Sequence, residues 1–143
     1  MLKTCLYVAA TEKMGRGVFT RKAIPADTVI EISPVIVMPH SDRLLLDKTL
    51  LHDYIFEWGS AKDKCCMALG LVAAYNHSYQ SNCEYFMNFD DDTIFIKTVR
   101  PINKGEELTI NYNGDWNDGN KVWFDVKEDT PSPFLPAQAA SKG

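Results

Sequence analysis

The amino-acid sequence predicts one mainly β domain, a β-rich α+β fold. Three observations carry this reading. β-branched runs are short and closed by turn residues, apolar stretches of helical length and spacing are few, and 143 residues suit one core better than two.

Taken in order, Val18-Phe19 opens a strand directly after Gly15 and Gly17. Residues 28–32 and 35–38 are two further strand-like runs. Ile24-Pro25-Ala26-Asp27 and Ser33-Pro34 punctuate them, and proline, which lacks an N–H, is expected to break the ladder at those joints. Residues 85–89 and 93–99 read as the best hairpin, with Asp90-Asp91-Asp92 as its polar tip. Helix is expected in two places: from a Ser41 cap through residues 44–51, and over 61–74, which is rich in helix formers. From Thr130 onward the chain is rich in proline and alanine without periodicity, so 127–143 is expected to be a tail. No internal repeat is visible.

Composition narrows the function. The 45% apolar and 24% charged shares are those of an ordinary globular protein. A net charge of −4 argues against direct nucleic-acid binding, which needs clustered Lys and Arg, and suits a basic partner better. No apolar run is long enough to span a bilayer, and residues 1–10 lack the basic start and apolar centre of a secretory signal. A cytoplasmic or nuclear protein without membrane association is therefore expected. Cys5, Cys65, Cys66 and Cys83 lack the spacing of a zinc knuckle, and His40, His52 and His77 lack that of a metalloenzyme. Reduced packing thiols and no metal are expected.

Three motifs carry chemistry. Met14-Gly15-Arg16-Gly17-Val18-Phe19 places two glycines before a strand, where backbone groups could approach a ligand closely, although such a pair also makes an ordinary turn. It has neither the third glycine of a dinucleotide fingerprint nor the lysine of a phosphate loop. Tyr75-Asn76-His77-Ser78, followed by Asn82-Cys83-Glu84, gathers amide, imidazole and hydroxyl near the core. It is either a satisfied buried turn or part of a binding site. Gly105-Glu106-Glu107-Leu108-Thr109-Ile110-Asn111-Tyr112 reads by itself as an edge strand ending in tyrosine.

In this order, the three motifs resemble the SET-domain protein methyltransferases from about Leu6 to Asn113. Gly15 to Thr20 followed by Ile24-Pro25-Ala26-Asp27-Thr28-Val29-Ile30 looks like the family's opening strands and turn, and Val99-Arg100-Pro101-Ile102 like its approach to the last motif. The resemblance implies a β-clip of several small sheets with a knot-like C-terminal threading. It places a SET domain over 1–126, with core motifs at 6–113 and a C-terminal flank at 114–126. Ser81 stands where the family usually has proline, and Ile110 where Phe or Tyr is common. No cysteine cluster follows Tyr112, so the chain resembles the minimal viral and bacterial members that lack a zinc module.

The implied activity is transfer of methyl from S-adenosylmethionine to a lysine side chain of a protein such as a histone. By resemblance Tyr112 is catalytic. Met14, Gly15, Arg16, Gly17, Tyr75, Asn76, His77, Tyr112 and Trp123 hold the donor, while Tyr79, Tyr85 and Ile110 line the lysine channel. Residues 114–126 are expected to fold back over the adenine, and a homodimer is compatible with the sequence. Two other readings share the sequence: a SET-fold module without turnover that binds a peptide or the donor, and an acidic interaction domain for a basic partner.

Overall fold

The computed structural model describes residues 1–112. The expected flank at 114–126, with Trp123, and the tail at 127–143 lie outside the described residues. In chain order the strands are β1 (Leu6–Ala10), β2 (Arg16–Thr20), β3 (Val29–Met38), β4 (Phe56–Trp58), β5 (Lys64–Ala68), β6 (Asn76–His77), β7 (Cys83–Asn88), β8 (Thr93–Thr98) and β9 (Glu107–Ile110). A short helix α1 (His40–Leu46) and two 3-10 turns, Leu50–Asp53 and Val72–Ala74, connect them. The strands form a four-stranded sheet ordered β1-β2-β9-β6 and a five-stranded sheet ordered β4-β5-β3-β8-β7. The mainly β class is as expected.

The placement of β9 decides where the site lies. After β6 the chain leaves the first sheet, builds the β7–β8 hairpin in the second, and returns to lie between β2 and β6. β9 is antiparallel to β2 but parallel to β6, pairing Asn76 with Thr109 and His77 with Ile110. Parallel neighbours require such a crossover. The reading of this segment as an edge strand is thus corrected: Leu108 and Ile110 are fully buried in the core.

Alternation explains the rest of that core. Ile94 and Ile96 of β8 point inward and join Val18, Ile30, Leu108, Ile110, Val72 and Tyr75 in one contiguous cluster spanning both sheets. Each such aliphatic side chain contributes about 1.5–3 kcal/mol by leaving water. In β3 a bulge between Val29 and Glu31 turns the consecutive Ile30 and Glu31 both inward. Glu31 is fully buried, and its carboxylate accepts from Ser33 Oγ (2.6 Å), the Leu71 N–H (2.7 Å) and the Tyr75 hydroxyl (3.0 Å).

Three expectations about elements are corrected. β3 runs unbroken through Ser33-Pro34, because its pairing with β8 ends at Pro34 and its pairing with β5 begins at Val35. The missing N–H falls where the partners change. Residues 61–74 are not a helix: β5 pairs with both β3 and β4 and buries Cys65, Cys66 and Ala68. Two-sided pairing outweighs helix propensities of a few tenths of a kcal/mol per residue. Helix α1 begins at His40 and ends at Leu46, with Ser41 inside it instead of capping it. The following 3-10 turn takes its cap from Thr49, whose hydroxyl accepts from the Leu51 N–H at 3.2 Å. The hairpin lies nearly where expected, closed at the pair Asn88 and Thr93, with Asn88 Oδ1 accepting from the N–H groups of Asp90 and Asp91.

Candidate active site

The loop before β2 is shaped by Thr11, whose Oγ1 accepts from the Met14 N–H and donates to the Gly15 carbonyl, both at 2.8 Å. The two glycines that follow serve different ends. Gly15 has φ +72°, a conformation that side-chain-bearing residues rarely adopt. At Gly17 a Cβ would run into the Glu107 carboxylate and lie 2.8 Å from Asn76 Nδ2. The space expected for a ligand at Gly17 is filled by this protein's own side chains.

Asn76 Nδ2 donates to the Arg16 carbonyl (3.1 Å) and to Glu107 Oε2 (2.8 Å), stitching the first, second and third motifs together. Asn82 reinforces the second and third: its Nδ2 donates to the Glu107 carbonyl (2.8 Å), and its Oδ1 accepts from the Thr109 N–H (2.8 Å).

Tyr112 follows β9 by one residue. Its hydroxyl donates to the Tyr75 carbonyl at 2.7 Å, its N–H donates to His77 Nδ1 at 3.1 Å, and its carbonyl accepts from the Tyr85 hydroxyl at 3.1 Å. The ring lies 6.1 Å from Phe56 and 5.4 Å from His77 between centroids. Burial, with smaller contributions from Tyr54, Tyr85 and Asp53, pushes the Tyr112 phenol well above its ordinary pKa, so it stays protonated. Burial pushes His77 the other way, down to about 4, so its ring is neutral and Nδ1 is free of a proton to accept from Tyr112. Cys66 and Cys83 are buried and pushed up to about 12, which makes them packing thiols instead of nucleophiles.

An open cleft of about 1040 Å³ runs along these motifs. Met14, Gly15, Arg16, Asn76 and Tyr112 all line it, so five of the expected site residues meet on one wall system. A crevice that in this structure is closed even to a water molecule adjoins it, and Asp53, Tyr54, Ala73 and Tyr112 line both. Ile55 and Phe56 complete the crevice. Tyr75, His77, Tyr79 and Ile110 are buried behind this surface and line neither cavity. Tyr75 and His77 act on the site by holding Tyr112, and Tyr79 packs edge-on against His77 at 4.5 Å. Tyr85 is half-buried, packed against Phe56 at 5.4 Å.

Sequence reasoning missed Lys13, Asp53, Tyr54, Phe56 and Ala73. Lys13 could have been found as the neighbour of Met14 in the first motif. The other four come from short connections and a three-residue strand with no periodic signal, and only the fold brings them to Tyr112.

The sequence pattern of the family described as "SET domain" matches residues 15–113. The histone-lysine N-methyltransferase, H3 lysine-37 specific, of Schizosaccharomyces pombe is 32% identical over 137 residues, covering 95% of this chain and 88% of that protein. The histone-lysine N-methyltransferase SETD7 of Halocynthia roretzi is 30% identical; the match covers 82% of this chain and 34% of that longer protein. A Plasmodium falciparum crystal structure, described as that of a histone methyltransferase, has the same fold, with TM-score 0.59 and 24% identity over 81% of this chain and 98% of that one.

Proposed function

The chain belongs to the SET-domain family and is a protein-lysine methyltransferase; on that premise we propose that S-adenosylmethionine occupies the cleft and that the substrate lysine reaches Tyr112 by parting the closed crevice beside it. The observation that carries this reading is the meeting of the two cavities at Tyr112, whose hydroxyl is tethered to the Tyr75 carbonyl.

The residues fit such a donor. Lys13 and Arg16 suit its carboxylate, the Asn76 side chain its amino acid end, and the small apolar Val8, Ala73 and Ala74 the flat nucleoside. When bound, the donor supplies an electrophilic methyl group on a sulfonium. Tyr112 donates its hydroxyl hydrogen to the Tyr75 carbonyl, which fixes the oxygen's place beside the cleft, where it would meet the reacting methyl as a weak C–H···O acceptor. Being held protonated, it is an electrostatic partner and not a base. Tyr54, Ile55 and Phe56 disfavour the charged form of an entering lysine while Asp53, which lines the same crevice, favours it, so the amine becomes the nucleophile by losing its proton to water before transfer. His77 and Tyr85 fix the Tyr112 backbone from two sides, so much of the rate gain comes from holding the reacting groups in line.

A histone tail is the proposed substrate, and a nucleus the proposed location. The names of the two relatives support this, as does a net charge of −4 facing a basic tail. Among the described residues no helix is long and apolar enough to cross a membrane. The test is transfer of labelled methyl to a panel of core histones, read by mass spectrometry. Labelled lysine on a histone supports the reading, and binding of S-adenosylmethionine without transfer to any histone would instead favour a module that has lost turnover.

A further inference from the structure

The Asn76 amide has two N–H bonds, and both are spent on protein acceptors: the Arg16 carbonyl at 3.1 Å and Glu107 Oε2 at 2.8 Å. Since a carbonyl and a carboxylate can only accept, they fix which end of the amide is which. Oδ1 is left as the polar atom that Asn76 offers to the cleft it lines. The arrangement is also closed from behind. A side chain at Gly17 would strike both Glu107 and Asn76, so the residue between the donor loop and β9 must be glycine for the carboxylate and amide to meet.

We infer that Glu107 is a positioning residue for the methyl donor: its carboxylate holds the Asn76 side chain with Oδ1 toward the cleft, so that the site selects a ligand bearing a hydrogen-bond donor there, the α-ammonium of the donor's amino acid end. The inference rests on the cleft being the S-adenosylmethionine site. Without the Glu107 carboxylate the amide keeps only its longer bond to the Arg16 carbonyl, so its Oδ1 is held toward the cleft less firmly and the contact with the ammonium weakens. Glu107 touches no ligand itself in this account. Its effect passes through Asn76, and is confined to ligands that carry the ammonium.

The experiment measures calorimetric affinity for two probes, S-adenosylhomocysteine and its analogue with the α-ammonium replaced by hydrogen, on wild type and Glu107→Leu, which removes the acceptor for Asn76 Nδ2 that a glutamine would keep. One charge-assisted contact is worth about tenfold in affinity. The variant should therefore bind S-adenosylhomocysteine about tenfold more weakly, yet bind the deaminated analogue as wild type does. In steady state, KM for S-adenosylmethionine should rise by a similar factor with kcat little changed. Equal weakening toward both probes would show a merely structural role and overturn the inference, as would no weakening. Should Glu107→Leu fail to fold, Glu107→Ala, which also clears the space against Gly17, is read the same way. If wild type binds S-adenosylhomocysteine and the variants match it, only the role of Glu107 falls. If wild type binds neither probe, the donor reading falls and this inference with it.

Discussion

Acid titration probes the ring that holds Tyr112. His77 is 2% exposed, and its Nδ1 accepts from the Tyr112 N–H. Burial lowers its pKa from 6.5 to about 4. The unfolded chain takes up this proton near pH 6.5, whereas the folded protein takes it up only near pH 4. Between these values the unfolded state binds more protons, so stability falls as the pH drops through that window and is untouched by this group above it. At 1.36 kcal/mol per pKa unit, the loss attributable to His77 approaches about 3 kcal/mol. Urea unfolding of wild type and His77→Gln at several pH values between 7 and 4 measures it, because carboxylates common to both proteins cancel in the difference. Wild type should lose about 2–3 kcal/mol more than the variant across the window. Parallel losses would refute the assignment of a neutral, buried His77.

Two further substitutions follow from the same geometry. Gly17→Ala forces a Cβ against Glu107 and Asn76, so it should cost about 1–3 kcal/mol in unfolding measurements and weaken S-adenosylmethionine binding in calorimetry; a variant with unaltered donor affinity would count against the clamp. Glu31→Ala strips acceptors from Ser33, the Leu71 N–H and the Tyr75 hydroxyl in a fully buried setting, and a loss of about 3–5 kcal/mol in a urea melt is expected. A neutral result there would mean that water replaces the carboxylate.

The motifs were legible in the sequence because each concentrates groups that need partners. Asn76 bonds to the first and third motifs and His77 to Tyr112, and the Asp90-Asp91-Asp92 tip does close a hairpin. What was illegible depends on which strand lies beside which. Residues 64–68 carry helix-compatible side chains, and only pairing on both edges makes them β5. The last motif looks the same at an edge as in the interior, and its insertion between β2 and β6 is a fact of threading. Gly17 announced a close approach but not by what, since Asn76 lies 59 positions away and Glu107 90. The crevice residues Tyr54 and Phe56 carry no signal at all until the fold sets them against Tyr112.

The central claim is that the Tyr112 hydroxyl acts on the reacting methyl, and Tyr112→Phe tests it most directly. The substitution keeps the ring against Phe56 and His77 and removes one oxygen, leaving the Tyr75 carbonyl without its donor at a cost of about 1–3 kcal/mol in stability. Methyl transfer to histone is therefore assayed well below the variant's melting temperature, alongside calorimetric binding of S-adenosylmethionine. Turnover should fall by about tenfold or more while donor affinity hardly changes, the pattern of a contact made only in the transition state. A folded Tyr112→Phe protein that binds the donor and transfers methyl at the wild-type rate would contradict the account.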